Sequence, residues 1–461
     1  MRRTRTAPEL LALDSLSVYR GLLEDSVLRR LRELLIALDK EDIQLREIVN
    51  LYNDFYYHLA KCPQLSLTNH ILNLIIFDEN SFSFNAQAIS PLTMEDALEK
   101  AASCDLRNLE SVAKLDAAAL KAEIAARFNS RDDSSSSDSD FDTILKPFVQ
   151  GLPEWEPCPG KLADHEPEHL HNLKETFLAS QHWNDCLPEL KRFHQQFGCG
   201  IFARSIAFIW ERLEGQGYLK SVERPDPITL NELVDYQDER SKILENTSQF
   251  LKGYPANNVL LYGDRGTGKS STVKAILNAY HHQGLRMIEI PKAFLADFPR
   301  IIRLLNNRAQ KFILFVDDLV FGDNEENYTS LKAVLEGGLE SKTSNILIYA
   351  TSNRRHLVKE YFSERAGLHS SNRDEEVHAG DSIQEKLSLA DRFGINVVFS
   401  SPDQKQYLKI VEGIASHRNL TIDQNVLHKE ALQWALWYNG RSARTARQFV
   451  DWIEGHLALN K

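Results

Sequence analysis

The chain has no apolar run approaching the roughly eighteen residues that a bilayer-spanning helix needs. The longest, Ile71 to Phe77, has the size of a core segment and is interrupted by Asn73. An N-terminal signal core is missing too. Met1-Arg2-Arg3-Thr4-Arg5 is basic, but Glu9 and Asp14 break the apolar stretch that would have to follow. Cysteine is scarce. The five (Cys62, Cys104, Cys158, Cys186 and Cys199) show no C-x-x-C spacing, which argues against a disulfide framework and a zinc site and for a reducing compartment. A positive balance is also lacking. The net charge of −11 argues against binding nucleic acid through overall electrostatics and leaves only a local basic patch open. These absences predict a cytoplasmic protein with no membrane partner.

What is present is ordinary for folded chains: 43% apolar and 26% charged residues. At 461 residues the length exceeds a single core and suggests about two to four domains. Residues 15–130 read as helices. Leu28, Leu31, Leu35 and Leu38 share one face, as do Leu45, Ile48, Tyr52, Phe55 and Leu59 on the next segment, which Cys62-Pro63 ends. A third helix is predicted after a Thr93 cap. No catalytic constellation stands out there, as in an adaptor or scaffold. The run Arg131 to Asp142 is acidic and nearly without apolar residues, so it cannot offset its own ordering entropy. It lacks the central Gly and terminal Glu of an EF-hand loop. Prolines follow, and His165, His169 and His171 beside Asp164 match no standard ligand spacing. From Leu173 to about Leu219 the chain turns helical again. The expected divisions are a helical N-terminal region (1–130), a flexible acidic and proline-rich linker (131–170), a helical connector (171–225), a core of alternating strands and helices (226–401) and a C-terminal helical segment (402–461).

In the core, strand and helix signals alternate. Candidate strands are Val259–Tyr262, Met287–Ile290, Phe312–Val316, Ile346–Ala350 and Asn396–Phe399, a pattern for a parallel sheet covered on both faces. After the first of these comes Gly263-Asp264-Arg265-Gly266-Thr267-Gly268-Lys269-Ser270-Ser271, a complete G-x-x-x-x-G-K-[ST] match between a strand and a helix. Its glycines let backbone N–H groups turn around a phosphate chain at a helix N-terminus. Lys269 can reach the β- and γ-phosphates, and the Ser270 hydroxyl can ligate Mg²⁺. The cofactors implied are ATP and Mg²⁺. The strand Phe312–Val316 ends in Asp317-Asp318. In the position of a Walker B pair, Asp317 would hold Mg²⁺ through water and Asp318 would position or deprotonate the attacking water. Asn353, at the tip of the next strand, can orient that water.

This order of motifs, followed by Asp391-Arg392-Phe393-Gly394 and Gly440-Arg441-Ser442-Ala443-Arg444, resembles the AAA+ ATPase superfamily. More narrowly, the runs 257–271, 349–357 and 385–394 resemble a family of bacterial AAA+ ATPases known as domain of unknown function 815. The likeness spans about Phe193 to Trp452. It implies an α/β fold: a P-loop AAA+ core with a five-stranded parallel sheet, a C-terminal helical lid and a mainly helical N-terminal region outside the likeness. It further implies that Asn353 is sensor 1, Arg392 an arginine finger for a neighbour's nucleotide, Arg444 sensor 2, and Leu233 and Val234 part of the adenine pocket. Arg441, Arg444 and Arg447 recur at i, i+3 and i+6, which is also the spacing of a solvated helix face. Two positions depart from the superfamily pattern. The Walker B pair is Asp-Asp rather than Asp-Glu, and Asp235 stands where related sequences usually carry Gly. The expected activity is hydrolysis of ATP to ADP and phosphate by a homo-oligomer that remodels a protein or nucleoprotein partner. The rivals are a DNA-associated ATPase resembling helicase loaders and a non-hydrolysing, nucleotide-gated scaffold.

Overall fold

The computed structural model describes residues 7–40, 42–62, 65–88, 95–129, 146–155, 167–306, 308–319, 331, 332, 334, 335, 344–353, 392–438 and 440–459. Thr93, the acidic run Arg131–Asp142, Asp164, His165 and Asp391 lie outside the described residues. The chain divides into two units, Met1–Arg204 and Ser205–Lys461.

The first unit is helical among its described residues: α1 (Ala7–Asp14), α2 (Ser26–Asp39), α3 (Leu45–Leu59), α4 (Leu67–Phe77), α5 (Ser81–Gln87), α6 (Glu95–Ala113), α7 (Ala117–Asn129), α8 (Lys146–Gln150), α9 (Glu168–Ala179), α10 (Leu187–Phe197) and α11 (Gly200–Arg204). The leucines of α2 and the Ile48, Tyr52, Phe55, Leu59 stripe of α3 are buried in one core, as the helical spacing requires. Two carboxylates tie segments of this unit together. Asp25 caps α2 by accepting from the Val27 and Leu28 N–H groups. Buried Asp105 of α6 accepts the backbone N–H groups of Ser17, Val18 and Tyr19 at 3.0, 2.7 and 2.9 Å.

The expected linker of residues 131–170 is packed chain where it is described. Val149, Leu152 and Trp155 are buried in the helical core, Trp155 stacks edge-on against Phe55 at 5.2 Å, and the Tyr52 hydroxyl donates to the Pro153 carbonyl at 2.6 Å. Prolines punctuate this stretch, but its three large apolar side chains find a core that only the other helices provide.

The second unit is built on a seven-stranded sheet in the order β2-β1-β4-β5-β6-β3-β7. Its strands are β1 (Ala207–Leu213), β2 (Gln216–Ser221), β3 (Val259–Gly263), β4 (Leu285–Glu289), β5 (Lys311–Val316), β6 (Ile346–Ser352) and β7 (Ile395–Phe399). The five expected strands are β3 to β7, and all their pairings are parallel. The residues of β4, β5 and β6 are almost all buried, which explains their largely apolar composition, whereas edge strand β7 exposes Asn396 and Val398.

The expectation of five strands is corrected to seven, and the helical reading of 173–219 stops at Arg204. β1 pairs with β4 in parallel and with β2 as an antiparallel hairpin. The hairpin turns at Glu214-Gly215, with φ of +50° and +80° at its two central residues, the signature of a tight two-residue turn. Phe208 and Trp210 alternate inward along β1, a period of two that was present in the sequence but overridden by the aromatic spacing of the preceding helices. Trp210 lies across Gly217, where an added Cβ would come within 2.1 Å of the indole.

Helices α12 (Gln237–Leu251), α13 (Lys269–Tyr280) and α14 (Phe298–Leu305) accompany the sheet, and α15 (Gln404–His417), α16 (Gln424–Trp437) and α17 (Ala443–Leu459) follow it. Asp403 and Asp423 cap α15 and α16 through their side chains. Buried Tyr407, Ile410, Val411 and Ile414 of α15 share one core with the strands and with Ala446, Phe449, Val450 and Ile453 of α17.

Candidate nucleotide site

The P-loop leaves the sheet between β6 and β7, where the chain order of the strands reverses and a crevice opens beyond their carboxyl ends. Gly263 is held at φ +135°, and a Cβ there would lie 2.1 Å from the Phe399 carbonyl oxygen of β7, so only glycine is accommodated. The loop is tied down at Asp264. Its N–H donates to the same Phe399 carbonyl at 3.1 Å, and its Oδ2 accepts from the Ser401 N–H at 2.9 Å. Hydrogen bonds from the Ser401 side chain and backbone hold the Asp264 carboxyl below the usual carboxylate range.

Lys269 opens α13 and is 6% exposed. Its Nζ donates to the Gly263 and Asp264 carbonyls at 2.9 and 2.6 Å. Burial pushes its pKa down to about 8, against the pull of Asp264, Asp317 and Asp318. It is a cation with carbonyl dipoles for partners and too little negative charge to hold it at its ordinary value.

The neighbouring Ser270 hydroxyl donates to Asp317 Oδ1 at 2.6 Å. That oxygen also accepts the Thr351 hydroxyl at 2.5 Å, and Thr351 Oγ1 accepts the Asp318 N–H at 2.8 Å. Because β6 lies between β5 and β3, its last residues reach the Asp317-Asp318 pair beside the P-loop helix. Asp318 takes φ +50°, a left-handed conformation uncommon for a non-glycine residue. Its carboxylate meets different partners from that of Asp317: Oδ1 accepts Asn353 Nδ2 at 2.6 Å, and Oδ2 is 3.0 Å from Lys292 Nζ.

These groups surround a cavity of about 490 Å³. Arg265 to Ser271, Asp317, Asp318, Asn353, Leu233, Val234 and Arg444, all singled out in the sequence, line it. Gly263 and Asp264 shape the loop but do not form the wall, and Arg392 is not among the lining residues. The apolar end is Leu233 and Val234 facing Ile410 and Ile414 of α15. Gly413 makes that approach possible, since a Cβ there would stand 2.5 Å from Val234 Cγ2. Asp235 sits at φ +64°, a backbone region that glycine occupies without strain, and Lys409 Nζ lies 3.1 Å from its Oδ1. The Arg444 N–H donates to the Gly266 carbonyl at 3.0 Å, so the start of α17 is tied directly to the P-loop.

Sequence reasoning missed Thr351, Tyr236, Arg240, Ile410 and Arg447 as lining residues, and Lys292 as a partner of Asp318. Thr351 carried a signal, being two residues before the strand-tip Asn353. Arg447 carried half of one, since the i, i+3, i+6 spacing of the arginines is also that of a solvated helix face. Two of the three, Arg444 and Arg447, line the cavity; Arg441 does not. Nothing local marks Lys292, which reaches Asp318 from the segment that follows β4.

The donor set suits a magnesium nucleotide. A hydroxyl and a carboxylate oxygen already in hydrogen-bond contact are hard oxygen ligands, and the buried lysine beside them is short of negative charge. Among the described residues no group of three or more His, Cys, Asp or Glu side chains can hold a metal by itself, which includes the region of His169 and His171. Among the same residues no helix is long and apolar enough to cross a membrane.

The P-loop between β3 and α13, the paired carboxylates ending β5 and the polar tip of β6 define an AAA+ ATPase core. A family signature described as "Protein of unknown function (DUF815)" matches residues 203–457, more than half of the chain, and the chain belongs to that family. A 26S proteasome regulatory subunit 4 homolog of Schizosaccharomyces pombe is 26% identical over 178 residues, 37% of this chain and 37% of that protein. An AAA-ATPase of Arabidopsis thaliana is 25% identical over 196 residues, 40% of this chain and 38% of that protein. The matches thus span under two fifths of each relative. Among solved structures, a mutant of Thermotoga maritima RuvB shows 16% identity and a TM-score of 0.35, with 50% of this chain and 66% of that one covered. The Thermotoga maritima RuvB Holliday junction branch migration motor shows 15% identity and a TM-score of 0.30, with 49% and 72% covered.

Proposed function

We propose that the second unit binds ATP with Mg²⁺ in this cavity and hydrolyses it to ADP and phosphate, and that a homo-oligomer uses the turnover to remodel a protein or nucleoprotein partner. The observation that carries the reading is the division of labour between the two adjacent aspartates. Asp317 is bound to Ser270, the metal-ligand position of the P-loop, whereas Asp318 is bound to Asn353, the strand-tip amide. Bound magnesium would neutralise phosphate charge, with Ser270 and Asp317 as the residues to hold it. Lys269 and the N–H groups opening α13 bind the phosphates. Asn353 and Asp318 orient water and accept its proton, Leu233, Val234, Ile410 and Ile414 enclose the base, and Arg444 and Arg447 face the phosphates from α17. Arg392 acts on the nucleotide of a neighbouring subunit.

Phosphate release by the full-length protein tests this. Asp318→Asn is expected to keep ATP affinity and lose most turnover, while Asp317→Asn weakens the Mg²⁺ dependence. Arg392→Ala is expected to bind ATP and lose turnover by about a thousandfold or more. Mixing it with Lys269→Ala should restore part of the activity, because each mutant supplies what the other lacks. Wild-type turnover in Asp318→Asn rules out its role as base, and a dead mixture despite co-assembly rules out a finger in trans.

A second reading has one observation in its favour. The Lys292 ammonium, 3.0 Å from Asp318 Oδ2, occupies the carboxylate that a base needs free. On that reading the unit binds nucleotide without hydrolysing it, and gates the helical unit as a scaffold. Absence of phosphate release at every protein concentration, together with tight ATP binding, would select it. Turnover that requires DNA would instead select the loader-like ATPase.

A further inference from the structure

Outside the nucleotide site, three groups from three separate segments of the helical unit converge. Cys62 follows the end of α3, His70 lies within α4, and Asp25 caps α2. Cys62 Sγ is 3.3 Å from His70 Nδ1, and His70 Nε2 is 2.8 Å from Asp25 Oδ1. The order is thiol, imidazole and a carboxylate that orients the imidazole, each pair within bonding reach. Asp25 is itself fixed, because the same Oδ1 accepts the Val27 and Leu28 N–H groups at 2.9 and 3.1 Å. The imidazole therefore has one ring nitrogen committed to a rigid carboxylate and the other directed at sulfur. Cys62 is partly exposed, whereas Cys186 and Cys199 are buried.

We propose that Cys62, His70 and Asp25 form a reactive-thiol site, and that hydrogen peroxide oxidises Cys62 there to the sulfenic acid. In the resting thiol the S–H faces the His58 carbonyl, 3.7 Å away. The thiol gives its proton to solvent, and the Nδ1–H of the protonated His70 then donates to the thiolate. The thiolate attacks one peroxide oxygen, so that an S–O bond forms and the O–O bond breaks. Sulfur supplies the electron pair and is oxidised, and the peroxide is reduced. The departing hydroxide takes the imidazolium proton and leaves as water.

The charge state of the ring supports the geometry. Burial opposes the cation, but hydrogen bonds to Asp25 and Cys62 and their negative charges outweigh it and lift His70 to about 9. Asp25 moves the opposite way, its burial outweighed by His70 and the backbone N–H groups. Asp25 and Cys62 are the groups whose charges act on the ring, and the nearby Lys61 ammonium lies 4.0 Å over the Tyr57 ring. Oxidation leaves a neutral sulfur substituent, removing one of the two charges that hold His70 protonated.

The test uses the full-length chain at neutral pH. It is treated briefly with near-stoichiometric hydrogen peroxide, trapped with dimedone and mapped by peptide mass spectrometry. A parallel iodoacetamide time course reads nucleophilicity without oxidant. Cys62 is expected to react on the order of tenfold faster than the exposed Cys104 with both probes. His70→Gln should bring Cys62 to the rate of Cys104. Asp25→Asn, which keeps a capping oxygen but removes the charge, should lower it about threefold. If His70→Gln does not fold, the wild-type ratio and Asp25→Asn still decide. Equal rates for Cys62 and Cys104 in the wild type would overturn the proposal. So would an unchanged Cys62 rate in folded His70→Gln or in Asp25→Asn, which would leave His70 with only a structural part in holding the α2 cap.

Discussion

Each unit withdraws a basic side chain from solvent, and the two are shifted in opposite directions. His70 in the helical unit is lifted to about 9, because Asp25 and Cys62 more than offset its burial. Lys269 in the α/β unit falls to about 8, because burial outweighs the more distant carboxylates around it. The difference lies in where the counter-charge is. The helical unit supplies its own through Asp25, and it satisfies buried Asp105 with three backbone N–H groups and the Ser17 hydroxyl. The α/β unit leaves its lysine bonded to carbonyl dipoles at the edge of a cavity, where an anionic ligand would supply the missing negative charge. Polar groups inside the first unit lock helices together, whereas those at the strand ends of the second are arranged around a space.

The strongest test of this contrast removes the underpaired cation. Lys269→Ala is expected to weaken ATP binding by at least about a hundredfold, or about 3 kcal/mol, in a fluorescent-nucleotide titration. Wild-type affinity in that variant would show that the cavity does not need the lysine.

Its counterpart in the helical unit should act on stability alone. Asp105→Ala leaves the Ser17, Val18 and Tyr19 N–H groups without their acceptor and is expected to destabilise that unit by roughly 2–4 kcal/mol, with nucleotide affinity unchanged. Urea unfolding followed by hydrogen exchange at α1 and α6 measures it. A comparable fall in nucleotide affinity would erase the distinction between the units.

A smaller effect is expected at the apolar end of the cavity. Gly413→Ala pushes a Cβ into Val234 and should weaken nucleotide binding by about 1 kcal/mol, roughly fivefold. Unchanged affinity would place the base away from Val234.

The gentlest test is pH. The raised pKa of His70 contributes stability that is fully present below its unfolded value of 6.5 and is lost as pH rises through about 9. The lowered pKa of Asp25 contributes stability present above its unfolded value of 3.8 and lost as pH falls through the lower folded value. Together they favour the helical unit most between those unfolded values. Lys269 behaves in the opposite sense. Phosphate binding should restore its proton, so nucleotide affinity should decline as pH climbs through about 8, with proton uptake on binding in calorimetry. The slope should disappear in Lys269→Ala, and its persistence there would assign the titration to another group.

What the amino-acid sequence determined by itself was whatever is local. The P-loop occupies contiguous positions between a strand and a helix, so its glycines, Lys269 and Ser270 were legible without neighbours, as were the apolar strands ending in Asp317-Asp318 and Asn353. The leucine stripes of α2 and α3 were legible because one helix repeats its own period. The hairpin of β1 and β2 was not, since Phe208 and Trp210 continue an aromatic spacing set by helices, and an edge pair is too short to overrule it. Tertiary structure alone decided which distant residues meet. The order β5-β6-β3 brings Thr351 to Asp317 beside Ser270, the path from β4 brings Lys292 to Asp318, α15 and α17 carry Ile410 and Arg447 to the cavity, and α15 sets Gly413 against Val234. Cys62, His70 and Asp25 meet for the same reason, from the end of α3, the body of α4 and the cap of α2. Propensity and periodicity act over a few residues, whereas these meetings depend on how strands cross over and helices pack, which no short stretch of sequence encodes.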